Sequence, residues 1–501
     1  NESSARLSVT GPDGRGFAPD DAWRHADDSF DRSERRFETT YFHTTGSSEL
    51  AVPAGPLTVE AMRGLQYRLF RREVRVPPGG TVTVRVPLER LDDLAARGWR
   101  DGDLHVHMNY GGAYRNDPKH LALQMRAEGL SLVEDLIVNK EQRIPDIEYP
   151  VGVDGVSGRD LILSHGQEFH TSYWGHTALI GLADHLLLPD YAAYVNTAAA
   201  SLYPDNTVVY DLAHQQGALL GYVHPFDTAP DPYDTVEPLT HEVPVSAALG
   251  RMDYYEVLGF SEHRITAAIW HRLLNCGFRI PAGAGTDAMA NFASLRGPVG
   301  LVRVFVHTGA AFTHDRFLAG LKAGHTFATN APLLEFTLEG KEPGDEIRLG
   351  EAGRTLRAKV SLRSIVPIDH LEIVGRDGTV ASIPLRGDRT RAEATVEVPV
   401  RGSGWYALQA WNDRATHPVL DLYPFGTTSP IYVSVADEPV RSAEDARFFL
   451  AWVDRLIGAA RAHEGWNTAE EKAAVLRTLE EARTVYEGMA REEPGTIPPA
   501  S

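Results

Sequence analysis

Two histidines one residue apart, His105 and His107 in "GDLHVHMNYGG", stand at the end of a short apolar run. Side chains alternate along an extended strand, so a spacing of two turns both imidazoles to one side. Two converging neutral imidazoles make half of a metal site, whereas a histidine pair on a wet strand end is the plain alternative. The pair alone leaves these two readings balanced. Glu168 follows an apolar strand in "LILSHGQEFHTSYWGHTALIGL", and His176 in the same stretch opens another. His224 ends the strand of "LLGYVHPF", and Asp287 ends the glycine-rich "IPAGAGTDAM". In barrel-like α/β folds the C-terminal strand ends converge on one face, so residues this far apart in sequence can meet there. Burying so many ionisable groups without a cation would cost several kcal/mol apiece, roughly, which favours metal binding over packing. The single cysteine, Cys276, excludes a thiolate-rich site and leaves imidazole and carboxylate as ligands, a set that suits zinc, manganese or iron.

The elements that must position these groups are readable in outline. Residues 5–88 alternate like strands ("ARLSVT", "LTVEAM", "YRLFRREVRV", "TVTVRVPL") between turn signals such as "GPDGRG" and "PPGG", which predicts a small β-sandwich. Near Gly102 short apolar strands begin to alternate with helical stretches, the pattern of βα units. Asp117 caps a helix that begins at Pro118 and stops at Gly129. Asn206 caps "TVVYDLAHQQ", and Ser261 opens "EHRITAAIWHRLLNC". Each helix leads into a strand: "LSLVEDLIV", "ALLGYV" and "RIPAGAG". From Leu333 the β pattern returns and predicts a second sandwich. After Val440 two helices follow, the first capped by Ser442 and the second by Asn467 with Glu470. The stripe Phe448, Phe449, Trp452, Leu456 and Ile457 is expected to dock on the body of the protein. The expected fold class is therefore α/β, with domains at 1–98, 99–330, 331–438 and 439–501.

Composition bounds the functions. The 501 residues suggest about three domains, and 43% hydrophobic with 23% charged residues is the balance of a packed chain. Lys and Arg total 49 against 68 Asp and Glu, a net charge of −19 that repels polyanions, so nucleic acid is not an expected partner. No apolar run reaches the 18 residues of a membrane span. A small-molecule substrate is expected, and a homo-oligomer is compatible with the sequence. The start at Asn1 fits a removed signal peptide, a removed tag or a trimmed tail.

The order "DLHVH", "GQEF", "GHTAL", "YVHP", "GTDAM" resembles the polymerase and histidinol phosphatase (PHP) superfamily, particularly its carbaryl-hydrolase-like CehA/McbA branch, over residues 100–330. The resemblance implies a distorted (β/α)7 barrel with a metal cluster at its strand ends, and hydrolysis by metal-bound hydroxide. It assigns His105, His107, Glu168 and Asp287 to a first ion, and Glu168, His176 and His224 to a second. Members with a third ion carry three further histidines. Here the loop 108–116 has none, Val138 stands at the second position and Met289 at the third. Two divalent ions are therefore expected, with a mononuclear site as the fallback. The N-terminal segment resembles carboxypeptidase-regulatory-like modules of exported enzymes, which favours a periplasmic or extracellular location over a cytoplasmic one.

The expected catalytic groups are Asp287, Glu168 and Glu256, the last ending the strand of "DYYEVLGF" where the superfamily commonly has an acid, which could orient a ligand imidazole or hold a water, with a satisfied buried carboxylate as the alternative. His165 and His170 flank Glu168 and could sit behind the ligands or shuttle protons, with a solvent-facing role as the alternative. His214 lies inside a helix and is expected to pack. Lys140 is a candidate for contacting a substrate oxygen, and Tyr110, Tyr173, Trp174, Phe226 and His170 for walling a substrate pocket. The function expected is a metal-dependent hydrolase of a small carbamate, ester or amide. The motif segments contain no basic residue to hold a phosphate, which disfavours the alternative of a phosphoesterase. A second alternative is a non-catalytic binding protein with a degenerate barrel.

Overall fold

The computed structural model describes residues 2–25, 40–111, 114–139, 145–291 and 297–491. It is a mixed α/β structure with seven α-helices among the described residues, none long and apolar enough to cross a membrane.

The chain opens with strands β1 (Ala5–Thr10), β2 (Gly16–Phe17), β3 (Arg24–His25), β4 (Tyr41–Thr44), β5 (Gly55–Met62) and β6 (Phe70–Val76). They form one antiparallel sheet in the order β3-β4-β1-β5-β6, with β2 on β1. Its apolar face buries Val9, Phe42, Leu57 and Val59. The alternating "TVTVRVPL" forms no strand, and the one bridge near it joins Tyr67 to Arg90. Alternation sets which side chains face the same way; a ladder also needs a partner edge, and that stretch has none.

The central region carries β7 (Trp99–His107), α1 (Pro118–Ala127), β8 (Leu132–Val138), β9 (Gly152–Val153), β10 (Ile162–Phe169), β11 (Thr177–Ile180), α2 (Asn206–His214), β12 (Leu219–Tyr222), α3 (Val243–Ala248), β13 (Tyr254–Leu258), α4 (His263–Asn275), β14 (Ala282–Ala284) and β15 (Ala288–Met289). β7, β8 and β10 pair in parallel. β11 runs antiparallel to both β10 and β12, and β12, β13 and β14 are again parallel. β15 pairs in parallel with β7, which sets the segment bearing Asp287 beside the strand bearing the two histidines. β8 and β10 are buried along their whole length and β7 from Asp101 onward, as expected of a parallel sheet covered by helices.

The helix ends follow capping chemistry with shifts of a residue. Asp117 accepts from His120 N at 2.8 Å, with Pro118 in the first turn as expected. At α2 the cap is Asp205, which accepts from Val208 N at 3.0 Å, while Asn206 donates to Trp174 O and Gly175 O and is helical itself. At α4 the cap is Glu262, accepting from Ile265 N at 2.6 Å, because Ser261 Oγ is taken by Thr266 Oγ1.

β16 (Arg303–His307), α5 (His314–Ala323) and β17 (Thr326–Thr329) follow, and β16 and β17 extend the ladder from β7 into the C-terminal strands. Those are β18 (Leu333–Leu338), β19 (Glu346–Leu349), β20 (Thr355–Arg363), β21 (His370–Gly375), β22 (Gly378–Ser382), β23 (Arg391–Pro399), β24 (Gly404–Trp411), β25 (Phe425–Thr428) and β26 (Ile431–Val435). β18, β20 and β23 form a separate three-stranded sheet, and both groups contribute to one apolar core. The chain ends in α6 (Ala443–Ala462) and α7 (Ala469–Arg491). Ser442 caps α6 as expected. At the next helix Thr468 Oγ1 accepts from Glu471 N and Glu471 reaches back to Asn467 N, so the capping pair is Thr468 with Glu471 in place of Asn467 with Glu470. Phe449, Trp452, Leu456 and Ile457 are buried in the same core as the central strands, with Phe448 packed against it.

Candidate metal centre

His105 and His107 end β7 fully buried, and their Nε2 atoms face each other at 3.3 Å. The tautomer of His107 follows from its other nitrogen. Nδ1 lies 2.7 Å from Leu136 O, a carbonyl that can only accept, so Nδ1 holds the proton and Nε2 of the neutral ring presents a lone pair. Glu168, near the end of β10, turns Oε2 to this pair, 3.2 Å from His107 Nε2 and 3.6 Å from His105 Nε2. Its Oε1 faces the other way, 3.1 Å from His176 Nδ1 and 3.4 Å from His224 Nε2. Asp287 divides similarly: Oδ1 lies 3.2 Å from His107 Nε2 and 3.6 Å from His105 Nε2, and Oδ2 lies 3.7 Å from His224 Nε2. The six predicted ligands thus meet in one place. Asp287 reaches both histidine groups, whereas the family resemblance assigns it to the first alone.

The electrostatics of this cluster fit a cation. Among the described residues every ion-pair partner of Glu168 is an imidazole. Burial works against a charged His107, yet the Asp287 and Glu168 carboxylates outweigh it and hold its pKa up at about 9. His105 is raised by the same two carboxylates against the same burial. The carboxylates therefore demand positive charge where two protonated rings would repel each other at 3.3 Å. A divalent ion meets the demand without that repulsion. The buried Glu168 Oε1 and His176 Nδ1 also have no hydrogen bond of good geometry, as expected of atoms shaped for another partner. Buried His, Glu and Asp groups here can hold metal ions: His105, His107 and Glu168 in one set, His105, His224 and Asp287 in a second, and Glu168, His170 and His176 in a third. His170 was not expected as a ligand; its ring centroid is 3.5 Å from that of His176.

Supporting residues set this geometry. Glu256 on β13 lies 3.5 Å from His105 Nδ1 and accepts from His224 N at 2.6 Å, so it steadies two of the imidazoles. His224 and Asp287 both hold positive φ, 28° and 57°, a conformation uncommon for residues with side chains. Asp287 is held there by donating its N–H to His105 O at 2.7 Å. Gly285 is a glycine for space: an added Cβ would lie 2.3 Å from His105 Cβ and 2.4 Å from Glu256 Oε1. Two supports were not anticipated. Asp103 accepts from His105 N, Thr286 N and Gly300 N and so ties β7 to the segment bearing Asp287; its only trace in the sequence is a carboxylate inside an apolar strand. Asp135 accepts from Met108 N at 2.7 Å and from His165 Nδ1 at 2.8 Å, and His165 also meets Asp154 at 3.2 Å. His165 is therefore a buried brace of the strand ends and does not face solvent.

The remaining candidates divide. Tyr110 lies beside the cluster, its ring 5.0 Å from that of His107. Tyr173 is half-buried, with its ring edge-on to Trp174. Trp174 is not a pocket wall: it is fully buried and donates Nε1–H to Leu202 O at 2.7 Å, because a ring of that size is worth most in the core. Phe226 is also buried, packed between His241 and Trp452. His214 pairs with Asp253 at 2.8 Å. Lys140 lies outside the described residues. Val138 stands buried opposite Glu168 in the β8–β10 register, and Met289 opposite His107 in the β15–β7 register.

No protein-family model matches the chain, and no curated protein matches it. Among solved structures it is similar to Endonuclease Q in complex with a 27-mer duplex substrate carrying an abasic lesion at the active site, at 15% identity and a TM-score of 0.29. That likeness covers 45% of this chain and 56% of the other, so the match spans little more than half of that structure's chain.

Proposed function

We propose that the protein is a metal-dependent hydrolase of the PHP type that cleaves a carbamate, ester or amide bond in a small, aromatic substrate. The observation that carries this reading is Glu168, a buried carboxylate whose two oxygens face two different pairs of imidazoles. That arrangement suits a pair of divalent ions, one held by His105, His107 and Asp287 and the other by His176 and His224, with Glu168 shared. Bound there, such ions supply Lewis acidity and acidify water towards a pKa of about 7. The protein's own groups do the rest. His107 is kept in the ligating tautomer by Leu136 O, and Glu256 orients His105 and His224. Asp287 accepts the proton that the attacking water gives up. In this reading the central ladder is the distorted (β/α)7 barrel of residues 99–330, flanked by a domain over 1–98 whose described strands form a single sheet and not the expected sandwich, by a β-sandwich over 331–438 and by the helical pair of 439–501. The partner proposed is a small molecule and not a nucleic acid.

The test is elemental analysis of untagged protein purified without added metal, paired with turnover of p-nitrophenyl acetate, an aryl carbamate and p-nitrophenyl phosphate. About two ions per chain with acyl or carbamoyl cleavage supports the proposal. Phosphatase activity alone would replace it with a phosphoesterase, metal without any turnover would make the protein a binding module, and the absence of metal would overturn the ligand assignment.

A further inference from the structure

Glu168 and His170 stand two residues apart where β10 ends, as His105 and His107 do where β7 ends. Extended backbone turns side chains two apart to the same side, so the strand that delivers the carboxylate delivers an imidazole with it. A ring nitrogen of His170, one of His176 and a carboxylate oxygen of Glu168 lie within 4.8 Å of one another. The His170 ring lies against that of His176, 3.5 Å between centroids, and 4.8 Å from that of Tyr191.

Its backbone is fixed from the next strand. His170 N–H donates to Asn139 Oδ1 at 2.7 Å, and Asn139 Nδ2 donates to His170 O at 3.3 Å and to Pro189 O at 2.6 Å. One side chain just past β8 thus holds the end of β10 and the loop that carries Tyr191. The buried Nδ1 of His170 has no hydrogen bond of good geometry among the described residues, and neither has His176 Nδ1 or Glu168 Oε1. Buried polar atoms left unpaired in three neighbouring side chains are costly unless something bridges them. This half of the cluster is also the wetter one: the side chains of His176 and His224 are 22% and 15% exposed, against 0% and 1% for His105 and His107.

We propose that His170 is a metal ligand, holding the second ion together with Glu168 and His176. This rests on the two-ion reading and adds a seventh ligand to the six that the motifs supply. A further imidazole holds that ion against the water that reaches its side of the cluster. It also sets the class of ion, since imidazoles favour zinc, nickel or iron over magnesium, calcium or manganese.

The test is zinc titration of untagged, chelator-stripped protein by calorimetry, with the metal retained after gel filtration counted by elemental analysis. Wild type is expected to take up two ions. His170→Phe keeps a ring against His176 and Tyr191 and removes both nitrogens. It is expected to bind the first ion as wild type does and the second at least roughly tenfold more weakly, because losing even an outer partner costs about 10- to 100-fold. His170→Ala is expected to show the same loss, whereas a mere packing role would spare the phenylalanine variant; if one variant fails to fold, the other decides. Unchanged affinity for the second ion overturns the assignment, and no zinc uptake by wild type overturns it together with the two-ion reading. A single ion in wild type refutes the two-ion reading alone if His170→Phe weakens that ion, and refutes both if it does not. Turnover enters none of these measurements, so a protein that loads two ions and hydrolyses nothing loses the hydrolase reading and keeps His170 as a ligand.

Discussion

The cluster is built from residues that cannot substitute for one another. His107 is fixed at both ends, by Leu136 O at Nδ1 and by the carboxylates of Glu168 and Asp287 at Nε2. His107→Ala is expected to lower metal affinity by more than the roughly 10- to 100-fold that loss of an outer partner typically costs, and to abolish turnover. Circular dichroism and melting should show a largely intact fold, because the apolar neighbours Leu104, Val106 and Met108 keep their places in the cores; full metal and full turnover in this variant would refute the ligand assignment. Gly285 makes a different point. An alanine there meets the His105 side chain and backbone and the Glu256 carboxylate, so Gly285→Ala is expected to cost about 1–3 kcal/mol and to lose metal before it loses structure. Metal content and urea denaturation measured together decide between that outcome and a harmless substitution.

At the scale of elements, the C-terminal helices act on the site from a distance. Arg455 of α6 donates to the carbonyls of Asp231, Asp234 and Glu237, and Trp452 holds Thr240, so one helix fastens the loop that runs from His224 to His241. Glu471 on α7 holds Ser201, and Tyr486 donates to Pro244 O. Arg455→Ala is expected to raise amide hydrogen exchange in residues 226–241 by about tenfold, the equivalent of one charge-assisted bond, with the central strands unaffected. Unchanged protection of that loop would show that the helix merely covers it. The N-terminal sheet carries a pH signature of its own. Burial, then the charges of His43 and His120, push His25 down to about 3. The folded state refuses a proton that the unfolded chain accepts below about 6.5. Stability from this group is therefore complete above that pH and is lost as pH falls from about 6.5 towards 3, at up to about 1.4 kcal/mol per pH unit. In His25→Phe, which preserves the stacking on Tyr41, the loss between pH 7 and 5 is expected to shrink by ~2 kcal/mol in urea denaturation.

At the scale of the molecule, the ladder is continuous from β7 through β16 and β17 to β25 and β24, so the metal cluster and the C-terminal strands share one framework. The cores that stabilise this framework are apolar side chains, Leu104, Val106 and Met108 beside the cluster among them, and removing an ion leaves them in place. Chelation is therefore expected to leave the secondary structure in place while lowering the melting temperature by roughly 5–10 °C, since ions that bind only the folded state stabilise it by mass action. A melting curve unmoved by chelator and by added zinc or manganese would argue against tight binding.

What was legible in the sequence is what depends on local order. The period of two placed His105 and His107 on one side, apolar runs placed Glu168, His176, His224 and Asp287 at strand ends, and Asp117 and Ser442 announced their helices. Where neighbouring residues competed for the same role, the local signal slipped by one: Asp205 took the cap from Asn206, Glu262 from Ser261, and Thr468 from Asn467. Contacts between distant segments decided the remainder. Trp174 became core because Leu202 O met its indole, "TVTVRVPL" stayed unpaired because no strand edge reached it, and His165 became a brace because Asp135 and Asp154 closed on it. His170 joined the cluster only through tertiary packing, because the reach of an imidazole is set by groups far away in the chain.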